Sequence, residues 1–122
     1  MLNNVVLIGR ATRDTELRYI PDGTPVAGFG IAVDRGFKKK DGTKDTDFFD
    51  IVIWRELAEI CAKYVVKGML VAIRGQLQSR TYEASDGGKR KAVEIVADRV
   101  EFLSKPKDSA AATFGATEVD EA

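Results

Sequence analysis

The chain has 122 residues, of which 44% are hydrophobic and 31% are charged, a composition typical of a single globular domain. It contains one cysteine and no histidine, which excludes a disulfide framework or a Cys/His zinc site within one chain. No apolar run approaches the roughly 20 residues that span a bilayer, and strand-like residues follow Met1 almost at once. We therefore expect an intracellular protein without a signal peptide.

The formal net charge is zero, which by itself argues against a nucleic-acid ligand, because such proteins usually carry a basic excess. The sum conceals an uneven distribution. All 19 lysines and arginines lie within residues 1–107, whereas four of the 19 acids lie beyond residue 107. The first part therefore has a net charge of +4 and the last part −4. The sequence predicts a modestly basic domain followed by an acidic segment.

Five apolar segments rich in β-branched residues recur along the chain, separated by Gly, Pro and Asp turn residues, and they predict five β-strands. The segments are NNVVLIGRAT (3–12), PVAGFGIAVDR (25–35), TDFFDIVIW (46–54), MLVAIRGQLQSRTY (69–82) and KAVEIVADRVEFL (91–103). Between the third and fourth segments, Arg55–Lys67 has apolar residues at helical spacing and precedes Gly68, a residue type that often ends helices. One amphipathic helix is expected there.

The order β-β-β-α-β-β, with glycines inside strands, predicts an all-β protein: a five-stranded OB-fold barrel with one α-helix between strands three and four. We expect this domain to occupy residues 1–104. Residues 105–122 lack a sustained period and predict a short flexible acidic tail. OB-folds are known to hold oligonucleotides or oligosaccharides, so the fold itself indicates a binding function.

The third predicted strand has large rings on the face that should meet water. Successive side chains of a strand point to opposite faces. The core face is expected to carry Phe49, Ile51 and Ile53, and the outward face Phe48, Asp50, Val52 and Trp54. Aromatic side chains beside a lysine-rich loop are typical of surfaces that stack the bases and attract the phosphates of a single-stranded nucleic acid.

The fourth predicted strand repeats this pattern. Its core face is expected to carry Val71, Ile73, Gly75, Leu77 and Ser79, and its outward face Arg74, Gln76, Gln78, Arg80 and Tyr82. Phe37 adds a ring in the loop after the second strand. The predicted phosphate-neutralising residues are Arg35, Lys38, Lys39, Lys40, Arg74, Arg80, Lys89, Arg90 and Lys91. We expect this loop and the last hairpin to enclose one groove, with weak sequence preference because stacking does not read bases.

Each of these signals also has a simpler structural interpretation. Phe48 could fill a secondary core if its strand bulges, and Trp54 could be a packed corner where the strand meets the helix. Tyr82 could be an ordinary cross-strand packing residue. The lysine run could be a solvated loop, which is the more frequent role of such runs. The aromatic hypothesis therefore depends on several rings occurring together.

Over residues 1–104 the motifs, in order, resemble the bacterial single-stranded DNA-binding protein family. The stretch NNVVLIGRATRDTELRYIPDGTPVAGFGIAVDR is similar to that family's opening strands, FFDIVIWRELAEICAKYVVKG to its central strand and helix, and LVAIRGQLQSRTYE to its fourth strand. The resemblance implies a non-catalytic homotetramer that wraps single-stranded DNA in replication, recombination and repair. It implies a bacterial, nucleoid-associated cytoplasmic location, or the cytoplasm of a phage-infected host. It also implies that Phe37, Phe48, Trp54 and Tyr82 stack bases.

Two features depart from the family's pattern. Many relatives end in acids followed by Pro-Phe, through which they bind replication and repair proteins. Here the sequence ends TEVDEA, with the acids but without that pair, so recruitment of such partners stays an open alternative. Asp50 and Glu56 occupy positions where some relatives carry a basic residue. Fewer phosphate contacts and a shallower salt dependence are expected.

The leading prediction is a protein that coats single-stranded DNA without strong sequence preference. The alternative is an OB-fold protein-interaction module of the primosome-component type. A metal-dependent nuclease is disfavoured because there is no histidine to act as a base, and because Lys44 and Phe48 interrupt the acids Asp45, Asp47 and Asp50. No catalytic residue, metal or cofactor is predicted.

Overall fold

The computed structural model describes residues 1–104, except for the side chains of Phe37 and Lys38. The elements in this range are β1 Val5–Ala11, β2 Glu16–Tyr19, β3 Pro25–Lys38, β4 Lys44–Trp54, α1 Arg55–Tyr64, β5 Leu70–Glu83 and β6 Lys89–Ser104. The predicted acidic tail, residues 105–122, lies outside the described residues.

Five of the strands form a closed barrel. The sheet order is β1-β5-β6-β4-β3-β2, and β1 also pairs with β3 through Arg10 opposite Ala32, so that the sheet closes on itself. The β4–β6 pairing is parallel, with Ile51 beside Ile95, and the other pairings are antiparallel. A closed five-stranded barrel with one helix confirms the predicted OB-fold.

The structure adds one strand that the sequence pattern did not predict. Strand β2 pairs with β3 from Glu16 opposite Gly28 to Tyr19 opposite Pro25. All four of its side chains are exposed, so it lacks the alternation of buried and exposed residues that identifies a strand in sequence. The helix consequently lies between β4 and β5, the fourth and fifth of the described strands. These two strands are the third and fourth segments of the sequence prediction.

Helix α1 is shorter than the predicted Arg55–Lys67. It ends at Tyr64, and Val65 turns into extended backbone while its N–H still donates to the Cys61 carbonyl at 2.8 Å. Val65 is 1% exposed, so leaving the helix lets this side chain enter the core. Gly68 takes a left-handed conformation, φ 90°, in the turn that follows. Among the described residues, no helix is long and apolar enough to cross a membrane.

The barrel interior is made by residues of all five barrel strands and one side of the helix. Its fully buried side chains are Phe29, Ile31, Ile51, Ile53, Cys61, Val65, Val71, Ile73 and Ile95. The predicted core face of β5 is correct for Val71, Ile73 and Gly75 and wrong beyond them. Leu77 is 48% exposed and Ser79 is also exposed, because the outer half of β5 extends past the barrel as a two-stranded hairpin with β6.

Candidate nucleic-acid interface

The outward face of β4 carries the two exposed rings that the sequence predicted. Phe48 is 71% exposed and Trp54 is 39% exposed, whereas Ile51 and Ile53 are at most 1% exposed and Phe49 packs partly buried against the core. Neither ring is therefore an interior packing residue of this chain. The predicted alternation of faces along β4 is confirmed.

Trp54 lies in an open groove with a volume of about 680 Å³. The groove runs between the outward face of β4, the β5–β6 hairpin and the segment that includes β2. Its polar and aromatic lining residues are Arg13, Glu16, Arg18, Asp50, Trp54, Arg80 and Glu94, with Leu17, Val26 and Val52 among its apolar ones. The fold thus brings together Trp54 and Arg80, two predicted site residues that are far apart in sequence.

Two of the other predicted rings, Phe48 and Tyr82, do not line this groove. Tyr82 is 44% exposed on the hairpin, and the Arg80 guanidinium lies 5.3 Å from the centre of its ring, within the range of a cation–π contact. Phe48 lies opposite Ala32 near the middle of β4, roughly 20 Å from Trp54 at about 3.3 Å per residue. The side chain of Phe37 is outside the described part. The described rings thus occupy separate exposed positions, and Trp54 alone among them lines the groove.

Two predicted cations near the end of β3 are paired with carboxylates. Arg35 donates two hydrogen bonds to Asp47, at 3.1 and 3.0 Å, and the Lys39 ammonium lies 2.9 Å from Asp45. The hydrogen bonds to Asp47 raise the pKa of Arg35, and the same contact holds the pKa of Asp47 below its ordinary value. Asp45 and Asp47 therefore neutralise nearby cations, and residues 1–104 contain no acidic cluster arranged to hold a metal ion.

The predicted cations of β5 and β6 show the same behaviour. Arg74 pairs with Asp98 at 3.1 Å, Arg80 with Glu94 at 3.3 Å and Arg90 with Asp86 at 2.9 Å. These arginines stay about half exposed, so the pairs are surface pairs that exchange easily with another anion. A phosphate that binds any of them must compete with a carboxylate already present.

Three predicted cations, Lys40, Lys89 and Lys91, are exposed and form no ion pair with the described residues. They can accept a phosphate without breaking an internal contact. The side chain of Lys38 lies outside the described part. The predicted cationic residues thus divide into a paired group and an unpaired group, a division that sequence alone did not reveal.

Sequence reasoning missed the contribution of the chain between β1 and β3. Arg13, Leu17 and Arg18 line the groove, and the side chain of Arg18 forms no hydrogen bond or ion pair within residues 1–104. These residues lie on a connection and a strand with no periodic pattern. The pairing of β2 along β3 brings this part of the chain close to β4. The sequence pattern did not predict β2, and for that reason it did not predict these groove residues.

Comparisons with known proteins agree with this architecture. The model of the Single-strand binding protein family matches residues 2–103. A single-stranded DNA-binding protein of Oceanobacillus iheyensis is 50% identical over 103 residues, which are 84% of this chain and 64% of that protein. One from Caldanaerobacter subterraneus subsp. tengcongensis is 50% identical over 107 residues, 88% of this chain and 71% of that protein. Single-stranded DNA-binding protein 2 of Clostridium acetobutylicum is 48% identical, with 88% and 81% covered.

Proposed function

Because the chain belongs to the Single-strand binding protein family, we propose that it binds and coats single-stranded DNA without strong sequence preference. That is a family of non-catalytic DNA-binding proteins, and membership does not favour the alternative of a protein-interaction module. The observation that carries the proposal for this chain is the groove in which Trp54 and Arg80 lie together.

In this proposal the groove holds the strand by stacking and by charge. The exposed Trp54 ring and the apolar side chains of Val52 and Leu17 offer a surface for bases, and each stacked base contributes roughly 1–3 kcal/mol. The Arg80 guanidinium lies at the edge of this surface and exchanges Glu94 for a phosphate. Every base has a face that can stack, so strong sequence preference is not expected.

The strand is proposed to continue from the groove onto the rings outside it. Phe48 and Tyr82 stack further bases, and Phe37 is included as a fourth platform on the strength of the sequence prediction. Neutralisation of phosphates is assigned first to the unpaired cations Lys40, Lys89 and Lys91, and Lys38 is included on the strength of the sequence prediction. The second, paired group consists of Arg35, Lys39, Arg74, Arg80 and Arg90.

The proposed biological form is a homotetramer in the bacterial or phage-infected cytoplasm that acts in replication, recombination and repair. The observation that supports assembly into an oligomer is the outward face of β1, where the side chains of Val6 and Ile8 are 64% and 55% exposed. Apolar side chains in a row on a strand are typical of surfaces that another chain covers. Recruitment of replication or repair proteins through residues 105–122 is proposed as a separate property, tested by deleting that segment.

Trp54 is the single tryptophan of the chain, so its fluorescence reports on the groove directly. Titration with oligo-dT is expected to quench the emission to saturation, and added salt is expected to reverse the quenching. Trp54→Ala is expected to weaken binding by about 1–3 kcal/mol, roughly 5- to 150-fold. Emission that stays unchanged while DNA is demonstrably bound would remove Trp54 from the site.

A matched control comes from Tyr64, an exposed ring on α1 that is not part of the groove. Tyr64→Ala is expected to leave the affinity for oligo-dT within about twofold of wild type. Repeating the titration with longer oligonucleotides, with the mass of each complex measured, separates wrapping around an oligomer from a short footprint on one face. A short footprint with one domain per strand would favour the interaction-module alternative.

A further inference from the structure

Arg13 lies in a short connection whose other residues are all tied to the barrel. The Thr12 N–H donates to the Gly30 carbonyl at 2.9 Å, and the Asp14 carboxylate accepts the Lys67 N–H at 2.8 Å. Thr15 donates through both its N–H, at 3.3 Å, and its hydroxyl, at 3.1 Å, to the Val65 carbonyl. Arg13 is thus the one residue of segment 12–15 without a hydrogen bond in the described part, and its side chain lines the groove.

The guanidinium of Arg13 lies against the backbone of β3. If Gly30 carried a Cβ, that atom would be 2.7 Å from Nη1 of Arg13 and would also overlap the Thr12 hydroxyl. Real Cβ atoms do not approach other atoms so closely, so this position of the arginine requires glycine at residue 30. Gly30 is paired with Asp50 across the β3–β4 ladder. The arginine therefore lies directly beside the acid that fits a DNA-binding face least well.

Asp50 and Arg13 form a long ion pair, with Nη2 of the arginine 3.9 Å from the carboxylate. Their side chains are 70% and 48% exposed. A guanidinium has five N–H donors in one plane, so a single contact at this distance leaves the group free to meet another anion or the face of a base. The pair neutralises the negative charge of Asp50 in the groove and leaves the guanidinium of Arg13 about half exposed.

We propose that Arg13 is a further contact for single-stranded DNA, and that Gly30 and Asp50 are positioning residues which hold its guanidinium at the part of the groove next to Asp50. This inference rests on the proposed function. The guanidinium of Arg13 binds a phosphate or stacks on a base in the groove. Asp50 influences DNA binding through its contact with Arg13. The arrangement explains how an acid is accommodated at the centre of an anion-binding surface.

The test compares Arg13→Ala with Lys63→Ala, which removes an exposed cation from α1 outside the groove. Both variants are titrated with an oligo-dT of about 10 nucleotides, within the site size of one OB-fold. Arg13→Ala is expected to weaken binding about three- to tenfold and to reduce the slope of log K against log salt by about 0.7 for each domain bound. Lys63→Ala is expected to change the affinity by less than about twofold.

The positioning role of Asp50 is tested by Asp50→Asn in two backgrounds. With Arg13 present, removing the carboxylate relieves repulsion of phosphate but also releases the guanidinium, so the two effects oppose each other. In Arg13→Ala only the repulsion is relieved, and the gain in affinity is expected to be larger. Equal gains in both backgrounds would show that Asp50 does not act through Arg13.

The outcomes separate this inference from the function on which it rests. If wild type and Lys63→Ala bind oligo-dT and Arg13→Ala binds it equally well with the same salt slope, Arg13 is not a contact while the function stands. If wild type does not bind oligo-dT, the proposed function itself fails. Thermal unfolding of each variant shows whether a loss of binding comes from a loss of fold. Arg13→Lys is expected to keep the salt slope but not the full affinity, because lysine lacks the planar donor set.

Discussion

The inner and outer halves of the long strands of this protein are held by different interactions. In β5 the first half alternates buried and exposed residues, with Val71 and Ile73 at most 2% exposed, whereas every residue from Gln76 to Glu83 is exposed. The backbone ladder to β6 continues without interruption through the outer half, to Glu83 opposite Lys89. The inner half is thus stabilised by burial, and the outer half by the ladder and by surface contacts.

The outer halves also carry most of the proposed binding residues. On the β5–β6 hairpin, Arg80 contacts both Glu94 and the Tyr82 ring, and on the β3–β4 side Arg35 contacts Asp47. Such contacts contribute little to folding, since exposed ion pairs are worth about 0–1 kcal/mol. The comparison indicates that most of the proposed binding residues lie where the fold depends least on them, so they can be changed without unfolding the barrel.

The largest expected effect is on stability, and it should differ between two apolar residues that share the predicted core face of β5. Ile73→Ala removes a side chain that is 2% exposed and is expected to lower the free energy of unfolding by about 2–5 kcal/mol, because it leaves a cavity. Leu77→Ala removes one that is 48% exposed, and the expected loss is below about 1 kcal/mol. Urea unfolding measures both. Similar losses would mean that Leu77 is covered in the assembled protein.

The next effect concerns the point where the two halves of β5 meet. A Cβ at Gly75 would overlap the backbone carbonyl of Val96 on the neighbouring strand, and backbone atoms cannot move aside as a flexible side chain would. Gly75→Ala is therefore expected to cost about 1–3 kcal/mol of unfolding free energy in the same urea experiment.

The control for that substitution is Gly36→Ala on the outer part of β3. A Cβ there meets no atom within 4 Å, and Gly36 has no positive φ. Its unfolding free energy is expected to change by less than about 0.5 kcal/mol. If both glycine substitutions cost the same, the close approach at Gly75 does not limit the barrel.

The sequence predicted the barrel well because burial leaves a periodic signal. The alternation through Phe49, Ile51 and Ile53 gave the correct core face of β4, and the apolar spacing after Arg55 gave the helix. Where burial ends, the signal ends. Leu77 continued the alternation of β5 in the sequence although the strand had already left the barrel, and β2 had no alternation at all.

The candidate site was predictable only in part, for a related reason. Exposed rings on a polar face stand out in a sequence, which is why Phe48 and Trp54 were found. The pairing of Arg80 with Glu94 depends on the register of β5 against β6, and the position of Arg13 depends on the contact of a connecting segment with Gly30. Register and contacts between distant segments come from the closed barrel, so a single sequence does not contain them in readable form.

The smallest expected effect on stability is electrostatic and arises from an ion pair in the outer part of β3 and β4. Hydrogen bonds from Arg35 hold the pKa of Asp47 below its ordinary value. A carboxylate whose pKa is lower in the folded state adds stability that is present above the unfolded pKa and is lost as pH falls through the folded pKa. Both side chains remain partly exposed, 52% for Arg35 and 39% for Asp47, so the contribution to folding is expected to be small.

An NMR titration of the aspartate carboxyl carbons in wild type and Arg35→Gln resolves this effect, which denaturation cannot. The substitution is expected to return the pKa of Asp47 towards its ordinary value. Asp41 is an internal control, because its pKa is lowered by the hydroxyl and the N–H of Thr43 in its own turn, independently of Arg35. The pKa of Asp41 is expected to stay low in both proteins. If the pKa of Asp47 does not change, its carboxylate is stabilised by a group other than Arg35. Arg35 could then bind a phosphate without breaking a contact to Asp47.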